Sequence, residues 1–169
     1  ALPYMHMTHE RARMDRSGVT HIHHFFLPRA AQALGLLWRK AKAQPDIRIR
    51  HMLMFTVEQG ITSLNLQNRY GPHRYSQSNG AMPLVYYVPS LISEVTPWYV
   101  LSGKIDRLSK AFQTHYAIQS GVITGTGSTA SLQAPDHSID YIFTDPPFGE
   151  NIYYADLNFL VESWYGVLS

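Results

Sequence analysis

The sequence predicts an α/β fold with a largely parallel sheet. Three short apolar runs carry that prediction: Leu84–Val88, Gly121–Thr124 and Ile139–Thr144 each have the length and character of a buried strand. They alternate with stretches of helical period, and such alternation packs helices against a parallel sheet. The last run ends in Asp145-Pro146-Pro147-Phe148. This is the carboxyl end of a strand, where ligands of open α/β sheets bind.

In chain order, residues 1–20 are polar and basic, with Arg11, Arg13 and Arg16, and read as a loop or arm. From Pro28 the pattern is helical: Leu34, Leu37, Trp38 and Ala41 share a face, Pro28 suits a first turn and Pro45 ends the segment. Ile49 to Leu66 reads as a further helix, because its apolar character outlasts a strand. Residues 67–83 form a basic, aromatic loop, with Arg69, Tyr70, Arg74 and Tyr75 among Gly, Pro, Asn and Ser. After the strand Leu84–Val88, Thr96-Pro97 opens an amphipathic helix with Trp98, Leu101, Ile105, Leu108 and Phe112 on one face. The two remaining strands follow, and Ala155 to Leu168 closes the chain as a helix.

A length of 169 residues suits a single domain. No run reaches the ~20 apolar residues of a membrane span, and no secretory signal pattern is present. The chain has no cysteine, which excludes disulfides and cysteine-held zinc within it and points to the cytoplasm. The net charge of +2 hides a polarity: residues 1–75 hold 11 Lys/Arg against 4 Asp/Glu, and residues 76–169 hold 3 against 8. A basic half beside an acidic half suits a nucleic-acid surface next to a carboxylate region; scattered solvated charge is the alternative.

The tetrapeptide has a definite chemistry. Its two prolines fix φ and remove two amide donors, so nearby carbonyls lack local partners. A carboxylate, a free carbonyl and an aromatic face then converge on one small volume. An amino group on a planar ring fits there, its hydrogens on Asp145 and a carbonyl of Pro146-Pro147, its ring stacked on Phe148. This is an arrangement for amino-group methylation. A simple strand-ending turn is the bland alternative.

Asp145 to Phe148 resembles the Asp/Asn-Pro-Pro-Tyr/Phe motif of amino-methyltransferases that use S-adenosylmethionine. The stretch from Ser138 to Asn151, continuing through Tyr154–Leu160 and Glu162-Ser163-Trp164, is similar to one group of bacterial and archaeal site-specific DNA methylases. Upstream, Gly18–Phe26, Asn68-Arg69-Tyr70 and Tyr87–Leu91 resemble the same group in the same order.

The resemblance implies an incomplete class I methyltransferase-like (Rossmann-like) fold, with S-adenosylmethionine as cofactor and DNA as partner. It also implies transfer of a methyl group to adenine N6, or to cytosine N4, in the setting of restriction-modification. Asp145, Pro146, Pro147 and Phe148 would be catalytic; Thr126, Ser128 and Asp145 would lie at the cofactor; Arg69, Tyr70, Arg74 and Tyr153 would touch the nucleic acid. The acid-aromatic-glycine loop of that family is not found, and Ser131 stands where an acid is usual. The chain therefore reads as a fragment that needs the remainder of its parent protein. RNA amino-methylation and a non-catalytic nucleic-acid-binding module are the rival readings.

Two further features stand out. His21-x-His23-His24 could place imidazoles on one face, but no carboxylate or cysteine is spaced to complete a metal site, so structural hydrogen bonding or cleft lining is expected. Pro28-Arg29 offers a helix start and a cation, either an anion site or a plain helix start.

Overall fold

The computed structural model describes residues 9–73, 85–116, 121, 124–125, 127–128, 130–146 and 152–167. Among these there are helices but no β-strand: α1 (Arg11–Arg16), α2 (Pro28–Lys42), α3 (Ile47–Ile61), α4 (Pro97–Tyr116) and α5 (Tyr154–Tyr165), with a 3₁₀ turn at Ile22–Phe25. Among the described residues, isolated antiparallel bridges pair Phe26 with Asn65 and Arg69 with Ile92. No helix among the described residues is long and apolar enough to cross a membrane.

The α/β expectation, with its Rossmann-like parallel sheet, is thus overturned. Ile139–Thr144 is not a buried strand; Tyr141 and Phe143 are each 80% exposed. Nor does the described part of Leu84–Val88 form a strand, and Gly121–Thr124 lies partly outside the described residues. The physical reason is partnership. An apolar run signals burial or β-propensity, but a strand exists only beside another strand. Here the helices close a core among themselves, and Tyr86, from the first of the three runs, is buried within it.

The α2 helix starts where the sequence indicates. Pro28 occupies its first turn, and Arg39, Lys40 and Lys42 sit in its last, where cations complement the helix dipole. Its buried stripe is Ala30, Leu34, Trp38 and Ala41. The Asp46 side chain caps α3, accepting from the N–H groups of Arg48 at 2.8 Å and Ile49 at 3.0 Å. That helix stops at Ile61 rather than continuing to Leu66, because the chain turns to bring Asn65 beside Phe26 and the Leu66 N–H onto the Phe25 carbonyl at 2.7 Å.

Three helices meet at Gly60. A Cβ placed there would lie 3.2 Å from Leu101 Cδ2 of α4 and 3.3 Å from Leu34 Cδ2 of α2. In α4, Val100 and Leu101 are buried, whereas Ile105 and Phe112 are exposed and Trp98 is 84% exposed. The apolar face expected along the whole of α4 is therefore buried only in its first turns. The α5 helix seals the opposite side: Trp164 meets Phe26 and Trp38 edge-on, each at 5.8 Å between ring centroids. Gly166 ends it at φ +75, the left-handed conformation that glycine adopts without strain.

Within the arm expected at residues 1–20, α1 is ordered by a distant carboxylate. Asp156 of α5 is buried, and its Oδ2 accepts the backbone N–H groups of His9 at 2.7 Å and Glu10 at 2.8 Å. The sequence of the arm carries no sign of this partner.

Candidate nucleic-acid interface

A shallow groove of about 720 Å³ is lined by Arg13, Arg69, Tyr70, Val85, Tyr87, Pro89, Ser90 and Leu91. One wall starts at Asn68, which is fully buried and donates through Nδ2 to the Ser93 carbonyl at 2.7 Å; the Ser93 N–H returns to the Asn68 carbonyl at the same distance. One step on, the Tyr70 N–H bonds the Leu91 carbonyl at 2.9 Å, across the Arg69–Ile92 bridge. Arg69 and Tyr70 are thus set against Leu91 on a paired backbone.

The opposite wall is residues 85–87. Tyr86 turns inward and is buried, while Val85 and Tyr87 on either side line the groove. The Tyr86 ring packs 5.4 Å from that of Phe25. Its hydroxyl donates to the Leu157 carbonyl at 3.0 Å and accepts the Leu160 N–H at 3.2 Å, both in α5. Burial, above all, pushes the Tyr86 phenol well above its usual range. The Tyr86 N–H donates to Glu10 Oε2 at 3.1 Å, and Arg13 Nη1 reaches the same oxygen at 2.9 Å.

The groove therefore combines two guanidinium groups with two half-exposed phenol rings, Tyr70 at 47% and Tyr87 at 43% exposure. Arginines suit phosphate oxygens, and tyrosine faces suit unstacked bases. Of the residues expected at the nucleic acid, Arg69 and Tyr70 line it and Arg74 lies outside the described residues. Tyr153 is not among its lining residues; it stacks on His9 instead, 3.4 Å between centroids and 12° from parallel. Arg13 and Tyr87 were not assigned a role here from sequence. The basic arm was visible there, but no pattern showed that α1 would sit beside residues 85–91.

Of the expected catalytic residues, only Asp145 and Pro146 are described, and neither is enclosed. Asp145 and Pro146 are exposed at the end of an irregular stretch, while Pro147 and Phe148 lie outside the described residues. Of the expected cofactor residues, Thr126 is outside the described set. Ser128 is exposed, its Oγ accepting the Ala130 N–H at 3.2 Å. Exposed groups on irregular chain give an adenosyl or methionyl group no enclosing wall, so the described residues do not fit an S-adenosylmethionine site.

The histidine cluster is real but local. Ring centroids of His21, His23 and His24 lie 4.3 to 5.5 Å apart. The Thr20 N–H donates to His24 Nδ1 at 3.3 Å, and the Thr20 hydroxyl lies 3.0 Å from His21 Nδ1. Desolvation first, then the neighbouring His24 and His21, lower the pKa of His23. Among the described residues, no group of three or more His, Asp or Glu side chains is arranged to hold a metal ion. At the start of α2, Arg29 is paired with Glu94 through Nε and Nη2, which raises the Arg29 pKa and lowers that of Glu94. The cation that suggested an anion site is thus engaged by a carboxylate of the same chain.

No protein-family model, curated protein or solved structure matches the chain.

Proposed function

We propose that the chain grips nucleic acid as part of a DNA amino-methyltransferase. One observation carries the reading: Arg13, Arg69, Tyr70 and Tyr87 line one groove. In this reading the arginines take phosphates and the tyrosines take unstacked bases, as when a target nucleotide leaves the duplex. The resemblance of Asp145–Phe148 to the amino-methyltransferase motif supplies the chemistry. Asp145 accepts a hydrogen bond from the exocyclic amino group of adenine, or of cytosine, and stabilises positive charge as that nitrogen is alkylated. The methyl donor that the resemblance implies is S-adenosylmethionine.

A non-catalytic nucleic-acid-binding module is the second reading. It is favoured by the exposure of Ile139–Thr144 and of Asp145. RNA as substrate is separated from DNA by the same binding test.

The test is fluorescence anisotropy of labelled duplex DNA, single-stranded DNA and structured RNA over a salt series. DNA binding is expected to weaken with salt. Arg69→Ala is expected to weaken it about equally across sequences and to shallow the salt slope by about one. An unchanged slope removes Arg69 from the interface, and a preference for structured RNA replaces DNA as the substrate class.

A further inference from the structure

We propose that Glu10 is the positioning residue of this groove, raising nucleic-acid affinity although it puts a negative charge beside an anion site. The inference rests on the nucleic-acid reading of the groove and identifies what orients Arg13 and holds the 85–87 backbone in it. Glu10 is 8% exposed, and its Oε2 joins α1 to the 85–87 wall. From α1 it receives Arg13 Nη1 at 2.9 Å; from the opposite wall it receives the Tyr86 N–H at 3.1 Å. The backbone N–H of Glu10 is itself held by Asp156 at 2.8 Å. One carboxylate oxygen thus orients a groove cation and ties down the backbone between Val85 and Tyr87.

Arg13 needs such a partner. Its side chain is half exposed, and a free arginine on a short helix samples many rotamers. A guanidinium has five N–H donors, so one bond to Glu10 fixes its direction and others remain for phosphate. Tyr86 is likewise held at both ends, its N–H by Glu10 and its hydroxyl by α5.

Simple charge and positioning predict opposite signs. If the groove works only through net charge, removing Glu10 adds one positive charge and tightens binding. If Glu10 positions, its removal frees Arg13 and the 85–87 wall and weakens binding. The experiment measures anisotropy of labelled duplex and single-stranded DNA over a salt series, with wild type, Glu10→Ala, Glu10→Gln, Arg13→Ala and Glu10→Ala/Arg13→Ala. Glu10→Ala is expected to weaken binding by about three- to tenfold and to shallow the salt slope by about one, like Arg13→Ala. The double variant should be little weaker than either single one, because both remove the same contact. Glu10→Gln, which keeps the shape and an acceptor for the Tyr86 N–H, should fall between wild type and Glu10→Ala.

A structural defect alone would lower the amount of binding-competent protein and leave the slope unchanged, which overturns the proposal. Circular dichroism and thermal melting check folding, and Glu10→Gln decides where Glu10→Ala does not fold. Tighter binding by Glu10→Gln overturns the positioning role while leaving the nucleic-acid reading intact. Absence of wild-type binding even at low salt defeats that reading, and the proposal with it.

Discussion

Asp156 of α5 caps the backbone of Glu10, 146 residues earlier in the chain, with its Oδ2 at 2.8 Å from the Glu10 N–H. The same oxygen takes the His9 N–H. This contact joins α5 to α1 and, through Glu10, to Arg13 and Tyr86. Asp156→Ala should therefore destabilise the fold by about 2–3 kcal/mol, as expected for loss of charge-assisted hydrogen bonds to buried donors. Asp156→Asn, which keeps one acceptor, should lose less. Urea denaturation of the three proteins checks the order, and equal stability of Asp156→Ala and wild type would remove the contact from the fold's support.

The two helical glycines of α2 and α3 should respond in opposite directions. At Gly35 a Cβ meets nothing within 4 Å, so Gly35→Ala should stabilise by about 0.5–1 kcal/mol through the lower helical cost of alanine. At Gly60 the space is already filled by Leu34 and Leu101, and Gly60→Leu should destabilise by about 1–3 kcal/mol through overpacking. Thermal melts of both variants test the contrast.

The lowered pKa of His23 gives a signed pH dependence. The folded chain holds that proton less readily than the unfolded chain, so unfolding takes up protons as pH falls. Stability from this group is present above about pH 6.5 and is lost as pH drops towards the lower folded value. His23→Gln should flatten the fall in melting temperature between pH 7.5 and 5.5 relative to wild type. Parallel curves would show that His23 does not contribute.

The tetrapeptide separates stability from chemistry. Asp145 is exposed, so Asp145→Ala should leave unfolding free energy within about 0.5 kcal/mol of wild type. In the proposed function it should reduce methyl transfer to duplex DNA at least ~100-fold, because it removes an acceptor aimed at developing charge. Single-turnover methylation with a folding control measures both. A folded Asp145→Ala protein of undiminished activity would leave the tetrapeptide as a turn.

With Ser128 and Asp145 both exposed, S-adenosylmethionine should bind this chain only weakly, on the order of hundreds of micromolar or less tightly. Calorimetric titration giving low-micromolar affinity would place a donor site within these residues.

Helices α2 and α3 were readable because their signals are local. Pro28, the stripe Leu34–Trp38–Ala41 and the break at Pro45 act within a few residues of one another. Arg69 and Tyr70 were readable as a cation beside an aromatic on a loop, and they do share one groove. By itself the sequence determined these helices, the basic character of its first half and the chemical types available for binding.

Tertiary structure alone decided the rest. Whether Ile139–Thr144 became a strand depended on a neighbouring edge that no residue in that run encodes, and among the described residues no strand pairs with it. The burial of Tyr86, the cap from Asp156 and the meeting of Arg13 with residues 85–91 all join segments more than 70 residues apart. Such contacts form only when the helices have closed on one another. Local pattern can indicate which side chains are able to bond, but the packed chain determines which of them come within bonding distance.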